Sequence, residues 1–279
     1  MAIGRPGGAA RRQISELLDE LEPRVVPSLA LWPREALMLR LRGVAALLAG
    51  LEGADDLRAR YAALDEQLRA IDRREFEPIH QAIAERNYDG QALSRDLARI
   101  PPHAWDPFVL RVLGIERPPA REEQRGAEMV DYVATSVHSV LELASELSGD
   151  DLLVDLGSGL GLVVLLAAWL TPARALGIEI EPAFVRCAEA RARAMHLERA
   201  RFVTGDVCLA DYEGANAFYL YYPARGAMLA RLIERLRAEA LARPIRVYST
   251  GLSTAALGEQ PWLEPVRPFP SGMVSFRGR

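Results

Sequence analysis

The sequence predicts an α/β fold, in which a doubly wound, mostly parallel sheet follows an N-terminal α-helical domain. Apolar residues recur at three- and four-residue spacing through residues 13–100, which is the period of amphipathic helices. From residue 130 onward, short apolar runs alternate with helical segments, the order that builds a parallel sheet covered by helices. The Pro- and Arg-rich stretch 116–126 resembles a linker. We therefore predict two domains, residues 1–118 and 119–279.

Proline and glycine divide the first part of the chain. The spacing predicts four main helices, at 15–21, 35–51, 55–71 and 78–85. Turns are expected at Pro23, Pro27, Pro33, Gly50, Gly53, Pro78 and the Asn-Tyr-Asp-Gly run at 87–90. No strand-like alternation occurs here. This helical region is expected to recognise substrate, to cover the site as a lid, or to form a dimer.

The second part alternates between the two periods. Helices are predicted at 136–147, 160–170, 183–196 and 225–241, and strands at 152–156, 175–180, 201–204, 217–221 and 245–250. A Pro-rich segment closes the chain. In open sheets of this kind ligands bind at the carboxyl ends of the strands, so residues just after each strand are the candidates for function.

Composition limits the classes of function. The 279 residues are 50% hydrophobic, with no run of the 18 to 20 uncharged residues that a membrane helix needs. The N-terminus has basic residues but no apolar signal core. Two cysteines are too few for a disulfide framework, and neither lies near histidine at metal-ligand spacing. The net charge of −4 makes nucleic acid an unfavoured partner, and we expect a cytoplasmic protein without a membrane or metal site.

The stretch VDLGSGLGLVVLLAA, residues 154–168, contains the main motif. Its glycines stand at alternate positions, Gly157, Gly159 and Gly161. A dinucleotide fold requires G-x-G-x-x-G, and Leu162 stands where that third glycine is needed. Asp155 before the turn would also repel a pyrophosphate, whereas it would favour a cationic ligand. S-adenosylmethionine carries an ammonium and a sulfonium group, and its tail can approach glycine backbone closely, as at Ser158-Gly159.

Two more acidic positions follow later strands. Glu179 ends the second strand, where its carboxylate can accept both ribose hydroxyls of an adenosyl group. Asp206 follows the third strand and is expected to meet the adenine amino group, with Val207 beside the ring. We therefore predict S-adenosylmethionine as the cofactor, with S-adenosylhomocysteine as its product.

These motifs resemble those of class I, seven-strand S-adenosylmethionine-dependent methyltransferases, and the resemblance implies their Rossmann-like sheet. Residues 132–136, Tyr-Val-Ala-Thr-Ser, followed by the glycine motif, are similar to the Dot-type (disruptor of telomeric silencing) histone lysine methyltransferases and their bacterial relatives. In that family, Tyr and Thr of this loop fold over the methionine part of the cofactor, which implies this role for Tyr132 and Thr135. The acid that usually precedes the Thr is Ala134 here.

The fourth strand departs from the family. The family places an Asn next to the methyl group, whereas this chain has Tyr221 and Tyr222, followed by Pro223. We take both tyrosines as the candidate catalytic residues, since a phenol can orient an amine or hydroxyl and can pack around a methylammonium group. The pattern is also similar to that of mitochondrial lysine methyltransferases that act on an ATP-synthase subunit.

The sequence thus predicts a cytoplasmic methyltransferase that acts on an amine or hydroxyl, with protein lysine as one candidate acceptor. Two alternatives stay open at this point. One is a small-molecule O- or N-methyltransferase, and the other is a non-catalytic protein that binds S-adenosylmethionine and regulates a partner. A homodimer is a further expectation. A nicotinamide-dependent reductase is disfavoured by Leu162.

Overall fold

The computed structural model describes residues 6–115, 118–122, 128, 130, 132–221 and 223–278. Much of the predicted linker and the candidate catalytic Tyr222 lie outside the described residues. The chain forms two compact units, residues 1–81 and 82–279. The domain boundary predicted after residue 118 and the role predicted for the helical region stay predictions.

The first unit is helical. It contains α1 (Pro6–Leu21), α2 (Leu31–Ala49) and most of α3 (Asp55–Ala84). One face of each helix is apolar, and these faces form a core that includes Ile14, Leu18, Leu37, Leu41, Leu64 and Leu68. The guanidinium of Arg34 is buried in this unit, where its Nε lies 2.6 Å from Oδ1 of Asp72. A buried cation needs such a partner, since an unpaired charge in the core is strongly destabilising.

Helix α3 corrects one prediction. The two helices expected at 55–71 and 78–85 are a single helix of 30 residues that contains Pro78. Proline removes one N–H from a helix and usually breaks or kinks it. Here Asp72 and Phe76 are buried in the segment predicted to be a break, so packing continues the helix up to and through the proline.

Shorter helices open the second unit. They are α4 (Gly90–Leu97), α5 (Trp105–Val112) and α6 (Val137–Ala144). Asp89 caps α4 by accepting the N–H of Ala92 at 2.9 Å, and Asp106 accepts the N–H of Val137 at 2.7 Å. Of the described residues, no helix is long and apolar enough to span a lipid bilayer.

A seven-stranded sheet forms the centre of the second unit. The strands are β1 (Leu152–Leu156), β2 (Arg174–Glu179), β3 (Ala200–Thr204), β4 (Ala217–Tyr221), β5 (Arg246–Thr250), β6 (Leu263–Pro268) and β7 (Val274–Gly278). The helices between them are α7 (Leu162–Leu170), α8 (Pro182–Ala194), α9 (Gly226–Ala242) and α10 (Ser253–Gly258). The strand order is β3-β2-β1-β4-β5-β7-β6. This arrangement confirms the predicted doubly wound, Rossmann-like sheet.

The register brings the candidate site together. Strands β1 to β5 are parallel, and Asp155 pairs with Gly177 on one side and Tyr219 on the other. All five strands therefore end at the same edge of the sheet. The strand order turns in opposite directions on the two sides of β1, and ligands bind at such a switch point in open α/β sheets.

The C-terminal segment forms two strands that the sequence analysis did not predict. Strands β6 and β7 are antiparallel, and β7 pairs with β5. Pro265 and Pro268 lie on β6, and the pairing shifts register between Pro265 and Arg267. Proline is tolerated there because β6 is at the border of the sheet, where fewer backbone N–H groups are needed.

Candidate active site

A sharp turn between β1 and α7 forms the floor of the site. Gly157, Gly159 and Gly161 have φ angles of 90°, 53° and 85°. Only glycine adopts these angles without strain. The N–H groups of Gly157 and Ser158 both donate to the carbonyl oxygen of Ile178, at 2.9 and 3.0 Å, which fastens the turn to β2.

Close neighbours also require these glycines. A Cβ on Gly159 would lie 2.4 Å from the ring of Tyr132, and a Cβ on Gly161 would lie 2.7 Å from the ring of Phe202. Gly157 faces Pro223, and a Cβ added to this glycine would lie 3.0 Å from the proline Cβ. Gly161 therefore serves the packing of the turn beneath α7, whereas Gly157 and Gly159 line the cleft described below.

Asp155 is a buried carboxyl group at the end of β1. Its exposed fraction is 4%, and burial, together with the charge of Glu179, raises the pKa of Asp155 to about 8. No hydrogen bond from another described residue stabilises its charged form. A group of this kind costs free energy to ionise, and a cation placed beside it would remove that cost.

Glu179, at the end of β2, contacts the glycine turn directly. Its Oε2 accepts the N–H of Gly159 at 2.8 Å, and its Oε1 accepts the N–H of Glu181 at 3.0 Å. A carboxylate has about four acceptor positions, so two further donors can still bind. The carboxylate is thus held in place by backbone groups and can accept hydroxyl donors from a ligand.

Asp206 and Val207 follow β3. Oδ1 of Asp206 accepts the N–H of Cys208 at 2.8 Å, and its Oδ2 lies 4.0 Å from the guanidinium of Arg231. Val207 is buried, and both residues line the same cleft as Glu179. A carboxylate beside an apolar wall can accept from an exocyclic amine while the wall contacts a flat ring.

The segment that precedes α6 crosses the site, and we call Val130 and residues 132–136 the strap. The ring of Tyr132 packs edge-on against Phe184, with 5.7 Å between centroids. Burial and the nearby charges of Asp155 and Glu179 raise the pKa of Tyr132 to about 12. Its hydroxyl is buried without a hydrogen-bond partner among the described residues. Such an unpaired hydroxyl costs stability, and a bound ligand could satisfy it.

Two adjoining clefts meet at the strap. The larger has an empty volume of about 680 Å³, counting its open mouth. It is lined by Arg121, Val130, Tyr132, Val133, Gly157, Gly159, Glu179, Ile180, Phe184, Gly205, Asp206, Val207, Tyr221, Pro223 and Met228. The smaller is lined by Tyr132, Val133, Ala134, Thr135, Asp155, Gly157, Ser158, Leu162, Val163 and Tyr221. Tyr132, Val133, Gly157 and Tyr221 line both clefts.

The structure therefore gathers most of the predicted site residues around one end of the sheet. Thr135, Asp155 and Ser158 lie on the smaller cleft, and Glu179, Asp206 and Val207 lie on the larger one. Tyr221 ends β4 where the clefts meet, while Tyr222 is outside the described residues. The described residues contain no cluster of His, Cys, Asp or Glu that could hold a metal ion.

Sequence reasoning missed several lining residues. Phe184 and Met228 lie in the first turns of α8 and α9, and no sequence motif marks either residue. Pro223 follows Tyr221 by two positions. Arg121, whose guanidinium carbon lies 5.5 Å from the ring centroid of Phe184, comes from the predicted linker and carries no motif. His138 on α6 is not one of these lining residues. Its ring packs on Trp105, with 4.9 Å between the two ring centroids.

Comparison with known proteins gives similar solved structures only. No protein-family model and no curated protein matches the chain. It is similar to an RNA methyltransferase from Salinibacter ruber in complex with S-adenosyl-L-homocysteine, with 28% identity over 53% of this chain and 92% of that chain, and a TM-score of 0.38. It is also similar to an S-adenosylmethionine-dependent O-methyltransferase from Thermotoga maritima, with 15% identity over 53% of this chain and 67% of that chain, and a TM-score of 0.41. A third similar chain is a methyltransferase from Geobacter sulfurreducens, with 15% identity over 50% of this chain and 75% of that chain, and a TM-score of 0.40.

Proposed function

We propose that this protein is an S-adenosylmethionine-dependent methyltransferase that acts on an amine or hydroxyl acceptor. One observation carries the proposal. Asp155 and Glu179, two acidic side chains, flank a turn of bare glycine backbone at the switch point of the sheet. Carboxyl groups at this place favour a cationic ligand, because a positive charge would stabilise the ionised form of Asp155.

In this proposal the donor occupies both clefts. The ammonium of its methionine part would lie in the smaller cleft, beside Asp155 and Thr135, where it would favour the ionised carboxyl group. The ribose hydroxyls would donate to the acceptor positions that Glu179 has free. The adenine would lie in the larger cleft against Val207, with Asp206 as the acceptor for its amino group. The unpaired hydroxyl of Tyr132 would find a partner between these parts.

The protein's contribution to the reaction is alignment and the exclusion of water. When bound, the donor supplies an electrophilic methyl group on a sulfonium centre. Tyr132 and the strap cover the glycine turn, which keeps solvent from the region between the clefts. Tyr221 lies at the junction of the clefts, where its phenol can hydrogen-bond an amine or hydroxyl and orient the lone pair. We assign the same role to Tyr222 from its position in the sequence.

We propose protein lysine as the first candidate acceptor. The proposal rests on the resemblance to Dot-type enzymes, which the strap supports by bringing Tyr132 and Thr135 to the cleft. A small-molecule acceptor is the second candidate, and the apolar walls formed by Val130, Val133 and Met228 favour it. The cytoplasmic location and a homodimer belong to the same proposal.

The test uses the full chain with donor that carries a labelled methyl group. The protein is incubated with a bacterial lysate, and proteins are then separated from small molecules. Label on a protein band that is recovered as methyllysine after acid hydrolysis supports lysine transfer. The chain contains no lysine, so self-methylation on lysine adds no background. Label confined to small molecules supports the second acceptor class.

A matched pair of variants decides whether the proposed site is responsible. Glu179→Ala should weaken binding of S-adenosylhomocysteine by at least about tenfold, the scale of one charge-assisted contact. Glu142→Ala, on α6 and outside both clefts, should leave affinity unchanged. Binding without transfer to any acceptor would support the regulatory alternative. Calorimetry that detects no binding to the wild-type protein would refute the proposal.

A further inference from the structure

Glu128 caps a helix that lies far from it in the sequence. Its Oε1 accepts the N–H of Ala227 at 2.9 Å, and its Oε2 accepts the N–H of Met228 at 3.0 Å. Its backbone oxygen accepts the N–H of Arg225 at 3.0 Å. The first N–H groups of a helix have no partner inside the helix, and the helix dipole favours negative charge there. Both oxygens of this carboxylate are therefore used at the start of α9.

Gly226 makes room for the carboxylate. Its φ is 59°, and a Cβ at this position would lie 2.4 Å from Oε1 of Glu128. The helix thus begins with the residue that has no side chain to displace the glutamate. The glycine at this position and its backbone geometry both indicate that the start of α9 accommodates a hydrogen-bond acceptor from a distant part of the chain.

The residues on the two sides of this contact form facing parts of the larger cleft. Val130, Tyr132 and Val133 belong to the strap, which follows Glu128 in the chain. Pro223 and Met228 belong to the loop and first turn that begin α9. The hydrogen bonds of Glu128 join the start of the strap to the start of α9. One side chain therefore fixes the separation of two walls of the cleft.

We propose that Glu128 is a positioning residue that fastens the strap to α9 and so retains the donor in the cleft. The inference rests on the proposed function, because it assumes that the donor lies beneath the strap. Loss of the carboxylate should release the strap at its upstream end. Bound donor and product then leave faster, while the residues that contact the reacting groups stay in place.

A purely structural cap predicts a different result. If Glu128 only stabilised α9, its removal would lower the midpoint of thermal unfolding without changing the lifetime of the bound ligand. Glu142 provides the matched control, because its Oε1 accepts the backbone N–H of Ser271 at 3.1 Å and joins α6 to the loop before β7. It makes the same kind of contact between distant segments, away from both clefts.

The experiment compares Glu128→Ala, Glu128→Gln and Glu142→Ala in the full chain. Surface plasmon resonance measures the dissociation rate of S-adenosylhomocysteine, and thermal unfolding is followed in parallel. We expect dissociation to be about tenfold faster for Glu128→Ala, because this variant loses a pair of hydrogen bonds to a charged group. The dissociation rate should be unchanged for Glu142→Ala. Glu128→Gln should be intermediate, because its single amide oxygen can accept only one of the two N–H groups. In turnover, KM for the donor should rise, because the donor leaves the cleft faster.

Equal dissociation rates in wild type and Glu128→Ala would overturn the inference, whatever happens to thermal stability. Absence of any binding by the wild type would instead refute the proposed function. In that case amide hydrogen exchange of the ligand-free protein still tests whether Glu128 fastens the strap to α9. Faster exchange of the strap in Glu128→Ala, but not in Glu142→Ala, supports it, and equal exchange in all three proteins overturns it.

Discussion

Asp151 lies directly before strand β1 and Asp155 lies near its carboxyl end, and the protein shifts their pKa values in opposite directions. Both are buried. Burial raises the pKa of Asp151, but hydrogen bonds from Ser148 and Arg246 outweigh this and hold it below its usual range. At Asp155 burial and the charge of Glu179 act together and raise the pKa to about 8. Asp151 therefore stabilises the fold, whereas the charged form of Asp155 destabilises it.

Replacing each aspartate by asparagine should separate these roles. Asp155→Asn should weaken binding of S-adenosylhomocysteine by at least about tenfold and should not lower stability at pH 8, since it removes a carboxyl group that is costly to ionise. Asp151→Asn should lower the free energy of unfolding and leave affinity unchanged, because it breaks the contact with Arg246. Calorimetry and urea denaturation check both. Similar effects of the two substitutions on affinity would contradict the assignment.

The raised pKa of Asp155 also predicts a pH dependence of stability. An unfolded Asp titrates near pH 3.9, so between about pH 4 and pH 8 the folded chain holds a proton that the unfolded chain releases. This contribution is fully present below about pH 4, fades as the pH rises, and is lost above about pH 8. Tyr132 and Tyr219, which also lie near this carboxyl group, stay neutral over the range because their own pKa values are raised.

Urea denaturation of wild type and Asp155→Asn at pH 5, 6, 7 and 8 measures this dependence. The free energy of unfolding of the variant, relative to wild type, should increase with pH by up to about 1.4 kcal/mol per unit. Taking the difference between the two proteins removes the contributions of other titrating groups. A difference that is constant across the series would show that Asp155 has an ordinary pKa.

Gly159→Ala should disrupt the glycine turn. The substitution puts a side chain at a φ of 53° and places its Cβ 2.4 Å from the ring of Tyr132. The left-handed backbone alone costs roughly 1–2 kcal/mol, and displacement of the ring should also weaken donor binding. Gly258→Ala is the control, because a Cβ there meets nothing within 4 Å and the φ is not positive. Thermal unfolding and calorimetry should show losses in the first variant only.

Tyr221→Phe should affect turnover more than donor binding. If the phenol orients the acceptor, kcat for methyl transfer should fall by about tenfold while donor affinity is kept. A tenfold change corresponds to the free energy of about one hydrogen bond. Tyr88→Phe is a suitable control, since the Tyr88 hydroxyl donates to Asp96 at 2.9 Å on α4, away from the clefts. Steady-state kinetics with the acceptor identified by the labelling experiment would measure both. An unchanged kcat would leave Tyr222 as the remaining candidate.

Local patterns were sufficient to predict the parts of the fold that the sheet core dictates. Strand β1 matches its predicted bounds, because four of its five residues are buried and its end is marked by Asp155 and glycine. Strand β6 was missed because Pro265 and Pro268 oppose a strand assignment, and only its border position makes them acceptable. The break expected near Pro78 was wrong because tertiary packing outweighed the local preference.

The residues of the candidate site also fall into those that could be predicted from the sequence and those that could not. The positions of Asp155 and Glu179 beside the clefts could be predicted, since each lies near the end of a strand and next to a recognisable motif. Glu128 could not, because its partners lie about one hundred residues away in the chain and only the folded sheet brings them together. Arg121 and Met228 likewise reach the cleft through tertiary structure.

The prolines of β6 also affect how the sheet can grow. The sheet ends at β3 on one side and at β6 on the other, and β6 lacks two backbone donors where β3 lacks none. An open border with free N–H and C=O groups is a template for another chain. Intermolecular extension of this sheet is therefore less favourable at β6 than at β3. Two molecules joined there about a twofold axis would pair their β3 strands antiparallel and form one continuous sheet, with a β6 strand at each outer end.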